Sequence, residues 1–420
     1  MNPMEEKDFF MSRTEKKINW KKNLFFVWLS QLLSLAGFAS AIPFIPVYMR
    51  VKFGIEDPNL RGWYVSMFYF FSMLSFAIFT PVWGMLADRS GRKLMLLRAN
   101  IGAAILMPCM GFAPTIWSLI AIRFLTSVFS GTVNAAQTLL VSTSPEDKHG
   151  FVLGTLSSAV WSGNMLGFLA GGVIVHYFGY TAAFLLCGTM YVIGTLLVLF
   201  FVHENFEPPK KLLEPVREKP KLHLPDFGTT VWLILGLFLL MAFARRFDES
   251  YLALQVEQIA GKANTEFHTG WISALAAGGG VISGVSIGWL TDRFSPGKIA
   301  FPALALSILF ILLQGFAPSL GVLGGARFFS FITAGGLEPV FLTMLSKASP
   351  PERRGQIFGW SSTFRTTGIL LAALLGGTVI YHWGVRSVYI TAALGFLLLI
   401  PFVGFTLWKI RRISAAGGKA

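Results

Sequence analysis

Gly84-Met85-Leu86-Ala87-Asp88-Arg89-Ser90-Gly91-Arg92-Lys93-Leu94 is the stretch from which the fold is read, because part of it returns as Gly288-x-Leu290-x-Asp292-Arg293, 204 residues later. The same shift carries Arg123 onto Arg327. A shift of 205 carries Gly150-x3-Gly154-x2-Ser157 onto Gly355-x3-Gly359-x2-Ser362, and Gly171-Gly172 onto Gly376-Gly377. Four blocks at one near-constant offset mark an internal duplication. Each block lies within or beside an apolar run, so the duplicated unit is a group of hydrophobic segments.

Composition says where such segments live. Of 420 residues, 54% are hydrophobic and 13% charged, whereas a soluble domain carries about 25% charged residues. A chain this apolar needs lipid as part of its solvent. The 43 glycines suit membrane helices that pack closely. Apolar runs fall near 24–47, 63–86, 94–112, 116–141, 151–175, 182–202, 230–254, 270–290, 298–316, 320–346, 357–380 and 386–409. Each approaches the roughly 20 residues that a helix needs to span a bilayer. The expected fold is therefore an all-α polytopic membrane protein with twelve transmembrane helices in two six-helix pseudo-repeats.

An even number of spans puts both termini on one side, and lysine and arginine choose the side. With the N-terminus in the cytoplasm, 25 of the 35 Lys/Arg fall in cytoplasmic segments. Arg50, Lys52, Arg61, Lys262 and Arg386 face the other way, and five more lie within spans. That split obeys the positive-inside rule. It also accounts for the net charge of +14 without nucleic acid, because the bases sit in short clusters between spans. The expected segments are a cytoplasmic N-terminal segment 1–23, a six-helix bundle 24–202, a cytoplasmic linker 203–229, a second bundle 230–409 and a tail 410–420. The linker is rich in proline and lysine, including Pro208-Pro209 and Lys210-Lys211, and has too little apolar surface to fold alone. Residues 1–23 lead into a span of normal length with no small-residue cleavage site, so no removable signal peptide is expected. Cys109 and Cys187 both lie in apolar runs and imply no disulfide framework.

The block 84–94 is a tight turn: Gly91 permits the reversal, Arg89, Arg92 and Lys93 hold it on the cytoplasmic side, and Asp88 is a lone acid among bases. It resembles the signature loop between helices two and three of the major facilitator superfamily, and the resemblance covers essentially the whole chain. It implies that Gly84, Asp88, Arg89, Gly91, Arg92 and Lys93 form a conformational latch, with Asp88 meeting the start of span eleven near Gly355–Phe358. Gly37-x5-Pro43-Phe44-Ile45-Pro46 in span one resembles the proline pair of twelve-span drug/proton antiporters. Arg123 resembles that group's intramembrane arginine, with Ser127 where a glycine is expected. Gly163-x3-Gly167-x3-Gly171-Gly172 resembles its span-five signature, with Phe168 where a proline is expected. Spacing of four puts these glycines on one helix face, where helix packing is the simplest role.

Ionisable groups within spans are costly and face cavities or partners. Arg123, Arg245, Arg246, Asp248, Glu249, Arg327, Glu338 and Arg365 are such groups. Arg245 with Asp248 or Glu249, and Arg246 with Glu249, have helical spacing and can neutralise each other. Alternatively Asp248 or Glu249 carries a proton against an arginine counter-charge. Glu338 is the stronger proton-coupling candidate, alone among acids in span ten, with Arg365 on span eleven as an available partner. Arg327, eleven residues from Glu338, lies about 16 Å away along one helix. Arg245, Arg246, Arg365 and Arg123 are the substrate-binding or counter-charge candidates. Basic groups outnumber acidic ones, which favours an anionic or zwitterionic solute. Aromatics such as Trp28, Phe38, Phe44, Tyr69, Trp161 and Trp360 are available to line an apolar cavity. His176 and His382 sit at outer helix ends and read as interfacial, so no metal is expected.

The reading that follows is a secondary active transporter working by alternating access. The resemblance implies a proton-coupled exporter of drug-like or metabolite solutes (multidrug efflux by antiport) in the bacterial inner membrane. The alternative is a facilitator, exchanger or symporter of an organic anion on the same fold. No Ser/His/Asp set, histidine cluster, paired cysteines or phosphate loop suggests an enzyme. The expected partners are a small-molecule substrate, protons and membrane lipid, with no cofactor and no nucleic acid, and the chain is expected to act as a monomer.

Overall fold

The computed structural model describes residues 19–206, 227–350 and 353–417. The first 18 residues and linker residues 207–226, including the proline and lysine clusters, lie outside the described residues.

Among the described residues, ten helices are long and apolar enough to cross a membrane. One of them, which contains the helix His149–Phe201, is two spans joined at Gly179 (φ 81°, ψ 173°), and the 29-residue helix Thr265–Arg293 completes the twelve. In order, span one is Trp20–Phe53, span two Pro58–Ser90, span three Arg92–Gly111 and span four Ile116–Thr143. Spans five and six are 149–178 and 180–201. Span seven is Thr229–Ala260, span eight Thr265–Arg293, span nine Pro296–Gly315, span ten Leu320–Ala348, span eleven Arg354–Trp383 and span twelve Val385–Gly417. Both ends of the described chain lie on one face, here the terminal face; the other is the far face.

The duplication reaches the backbone. Gly179 turns span five into span six, and Gly384 (φ 77°, ψ 179°) turns span eleven into span twelve, 205 residues on. Positive φ with extended ψ is accessible almost only to glycine, so each junction is made by a residue without a Cβ.

The repeat also sets where helices break. Span one stops at Ala41, passes through a 3-10 turn at Ile42–Phe44 and resumes at Ile45. Pro43 and Pro46 remove hydrogen-bond donors there. Span seven ends its first helix at Arg246, has a 3-10 turn at Glu249–Tyr251 and resumes at Leu252. Span four breaks between Val128 and Thr132, where Gly131 has φ 109°. Span ten breaks at Gly335-Gly336. The breaks in spans one and seven, and in spans four and ten, are therefore paired by the duplication. Discontinuous spans near mid-membrane expose backbone polarity to a central site.

Small residues let the remaining spans approach. On span five a methyl at Gly163 would stand 2.6 Å from the Leu32 carbonyl, and methyls at Gly167 and Gly171 would collide with the carbonyls of Ala36 and Ser40. These glycines thus hold span five against span one inside one half. Gly172 points elsewhere: a methyl there would be 3.1 Å from the Glu266 carbonyl of span eight, and one on Gly270 would be 2.7 Å from the Phe168 carbonyl. Spans two and eleven meet in the corresponding way, with Ser66 Oγ donating to the Ala373 carbonyl and accepting from the Gly377 amide at 2.8 Å.

Arg50 and Arg61 lie at the ends of spans one and two, beside the far face. Helix runs to Phe53 and restarts at Pro58, capped by Asp57, leaving a loop of four residues. Both arginines are buried, at 8% and 1% exposure, and both are paired with Glu257 of span seven at 2.9 Å. A carboxylate from the other half makes their burial tolerable.

Candidate functional site

The intramembrane charges separate into two sets. Arg327 and Asp248 form a pair at 2.7 Å with side-chain exposures of 3% and 7%. Arg327 also donates to Gln314 Oε1 at 3.0 Å. This pair ties span seven to spans nine and ten inside the second half. Asp248 is buried in that packed core, just before the 3-10 turn Glu249–Tyr251.

The second set reaches solvent. Glu338 pairs with Arg365, and its other carboxylate oxygen lies 3.9 Å from Arg245. Arg246 pairs with Glu249 three residues on. Exposures run from 21% for Arg245 and 27% for Glu338 to 49% for Arg246, although every one of these residues is far from the ends of its span. Charges inside spans face cavities or partners rather than lipid, so this exposure marks open space beside spans seven, ten and eleven. Glu338 is the second residue of the half-helix that restarts after Gly336, and a carboxylate is favoured at such an N-terminus. Spans seven, ten and eleven each supply a charge, so any movement that parts them breaks an ion pair.

The first half faces this cluster with aromatics and one buried cation. Arg123, 5% exposed, lies over Phe38 and Phe68 at 5.3 and 5.4 Å to the ring centroids. It forms no ion pair among the described residues, whereas Arg327, its repeat counterpart, has Asp248. Tyr69 is close enough to Arg123, Arg246 and Glu249 to feel their charge. On the second half Trp232, Trp360 and Phe364 pack together, with centroids 5.6–6.3 Å apart. Trp28 donates to Ser158 Oγ at 3.1 Å across spans one and five, and Trp161 lies against Gly280 of span eight.

In the turn 84–94, the side chain of Asp88 lies outside the described residues, as do those of Asp292 and several neighbours in the second copy. Gly91 has φ 92° and offers no side-chain cap to the helix it precedes. Glu204, which sequence reasoning missed, supplies one: its carboxylate accepts from the amides of Arg92 at 3.1 Å and Lys93 at 2.7 Å. Lys93 Nζ in turn donates to the Leu199 carbonyl at 2.9 Å. Asn23 exchanges two hydrogen bonds with the His203 backbone, at 2.7 and 3.1 Å. Spans one, three and six are therefore fastened together on the terminal face, and the turn is anchored in its own half.

Far-face contacts across the halves form the remaining group. Besides Arg50, Arg61 and Glu257, Lys262 pairs with Glu56 at 2.6 Å, and Tyr180 donates to Glu266 at 2.6 Å. Arg50 also donates to the Lys262 carbonyl at 3.3 Å. The Lys262 ammonium holds the Glu56 carboxyl below the usual carboxylate range. Glu257 escaped sequence reading because its partners lie about 200 residues away in the chain, in the other half.

A duplicated twelve-span bundle, with broken helices and partly exposed charges inside its spans, defines a transporter that works by exposing one site to either face in turn. The sequence profile of the Major Facilitator Superfamily matches residues 27–256 and 238–418, and the chain belongs to that superfamily. Among curated proteins it is 33% identical over 412 residues to the multidrug resistance protein MdtG of Salmonella dublin, covering 96% of this chain and all of that one. It is 34% identical to the same-named protein of Citrobacter koseri over 414 residues, covering 97% of this chain and all of the relative. Among solved structures, the nucleoside transporter NupG superposes with a TM-score of 0.72 at 14% identity, over 92% of this chain and 99% of that one. A bacterial homolog of the human lysosomal transporter Spinster, inward-facing and unoccupied, gives 0.71 at 14% identity, over 94% and 97%.

Proposed function

We propose that the chain is a proton-driven exporter of drug-like or metabolite solutes, acting as a monomer in the bacterial inner membrane with both termini cytoplasmic. The excess of lysine and arginine on the terminal face supports that orientation. The relatives named as multidrug resistance proteins support the substrate class.

The observation that carries the coupling is Glu338, a solvent-reaching carboxylate held by Arg365 and within 3.9 Å of Arg245. Protonating it removes the charge that joins spans ten, eleven and seven. A site drives a conformational change only if its affinity differs between the two states. Glu338 meets that condition, since rearranging these spans changes which cations face it and so how tightly it holds a proton. Solute would enter from the cytoplasm between the aromatic walls. A proton arriving from the outside would displace the arginine contacts, and the halves would rock about the broken spans. Asp248, already neutralised by Arg327 in a dry core, is left as scaffold, and Glu249 serves as counter-charge to Arg246.

A second reading has its own support. The wet cluster holds three guanidiniums against two carboxylates, and Arg123 adds a cation without an acid. That balance among the described residues suits an organic anion moved by exchange or symport. Transport in inverted vesicles separates the two: uptake of lipophilic cations and neutral dyes that collapses with an uncoupler supports export by antiport, and uptake of anions that survives it supports the second reading.

A further inference from the structure

We infer that Glu257 is the latch that keeps the far face shut, holding the resting transporter open toward its terminal face. Its carboxylate oxygen Oε1 is shared by two guanidiniums of the opposing half, Arg50 Nη1 and Arg61 Nη2, each at 2.9 Å. The side chains involved are 8%, 1% and 9% exposed, so all three charges leave water when the halves close. The closure is also lopsided. One acid serves two cations, and no second carboxylate pairs with either arginine among the described residues.

The physical consequence is an asymmetry between the two states. When the far face opens, Arg50 and Arg61 regain water and lose little. When it closes without Glu257, two guanidiniums are dried with no acid to meet them, the costly case for a buried ion pair. Glu257 thus acts on the balance between states rather than on the solute, which makes it a positioning residue. Other charged groups around it come from each neighbouring element. They are Lys262 and Glu56 in the loops, Glu266 on span eight, and Tyr180 on span six, which lies near Arg50, Glu257 and Glu266. Lys262 and Glu56 are each 62% exposed and stay hydrated in either state, so their pair has little to lose when the face opens. The latch requires only that the two faces open in turn, which the superfamily supplies, and it holds whichever way net transport runs.

Nitroxide labels at positions 52 and 263, one on each half beside the far-face loops, report the opening by electron–electron distance measurements. Cys109 and Cys187 are first replaced by serine. The parent is expected to show mainly the short distance. Glu257→Gln should move the long-to-short ratio on the order of 100-fold toward the long distance. Glu257→Asp, which keeps the charge, should restore much of the short population, and Glu56→Gln should leave it within a few-fold of the parent. An unchanged distribution in Glu257→Gln overturns the assignment. So does a shift of equal size in Glu56→Gln, which would make closure a matter of general surface charge. Arg61→Gln is a second probe of the same latch and should move the ratio in the same direction; no movement contradicts the account.

Discussion

At the scale of single residues, burial separates the intramembrane charges into two sets. Asp248 and Glu338 look alike in the sequence: each is an intramembrane acid with arginines in reach. The structure buries Asp248 against Arg327 and leaves Glu338 27% exposed. Asp248→Asn is therefore expected to strand a dry guanidinium and cost about 3–5 kcal/mol of stability. The double change Asp248→Leu, Arg327→Met should cost much less, and thermal unfolding in detergent compares the two. Glu56 gives a pH statement. Its carboxyl is held below the usual range by the Lys262 hydrogen bond. The Lys262 contact is therefore fully present above the ordinary carboxylate pKa and is lost only as pH falls through the lowered value. Far-face distance distributions of the doubly labelled protein should accordingly be the same at pH 8 and pH 6 as far as this pair contributes. A change that Glu56→Gln abolishes would contradict that.

At the scale of helices, periodicity and hydropathy located the spans but hid their interruptions. Hydrophobicity runs on through Ile42–Phe44 and through Phe129 to Gly131, and a 3-10 turn leaves no mark on a hydropathy count. Proline marked the break in span one, and only the repeat could have carried it to Phe247–Tyr251, where no proline stands. The pairing of Arg50 and Arg61 was hidden for a related reason: their partner, Glu257, comes from the other half of the chain. The spacing of Gly163, Gly167 and Gly171 puts them on one face, and methyls there would meet span one, whereas one on Gly172 would meet span eight. Gly167→Ala would drive a methyl into the Ala36 carbonyl and should cost about 1–3 kcal/mol by overpacking. Gly154, with open space around it, is the matched control; Gly154→Ala should be neutral or gain about 0.4–1 kcal/mol. Equal melting shifts in the two variants would contradict this assignment of faces.

At the scale of the molecule, two similar halves meet through small residues and charge on the far face and share a wet, charged centre. Their sequence symmetry is strongest in the scaffold, at the turn after span two, the paired arginines, the span-five glycines and the glycine junctions. It fails where the centre is lined, since Glu338 and Arg365 face Asn134 and Val160 across the repeat. Symmetry supplies two bodies that rock against each other, and the unmatched charges give the motion something to respond to. The central claim is that Glu338 couples protons to that motion. Its most direct test is proton-gradient-driven accumulation of a fluorescent dye in inverted vesicles, comparing the parent with Glu338→Gln and Glu338→Asp at matched protein levels. The account predicts that Glu338→Gln loses gradient-driven uptake at least ~10-fold, as expected for removal of a positioned proton carrier. Dye binding should survive, and Glu338→Asp should keep part of the uptake. Full gradient-driven uptake by Glu338→Gln would contradict the account.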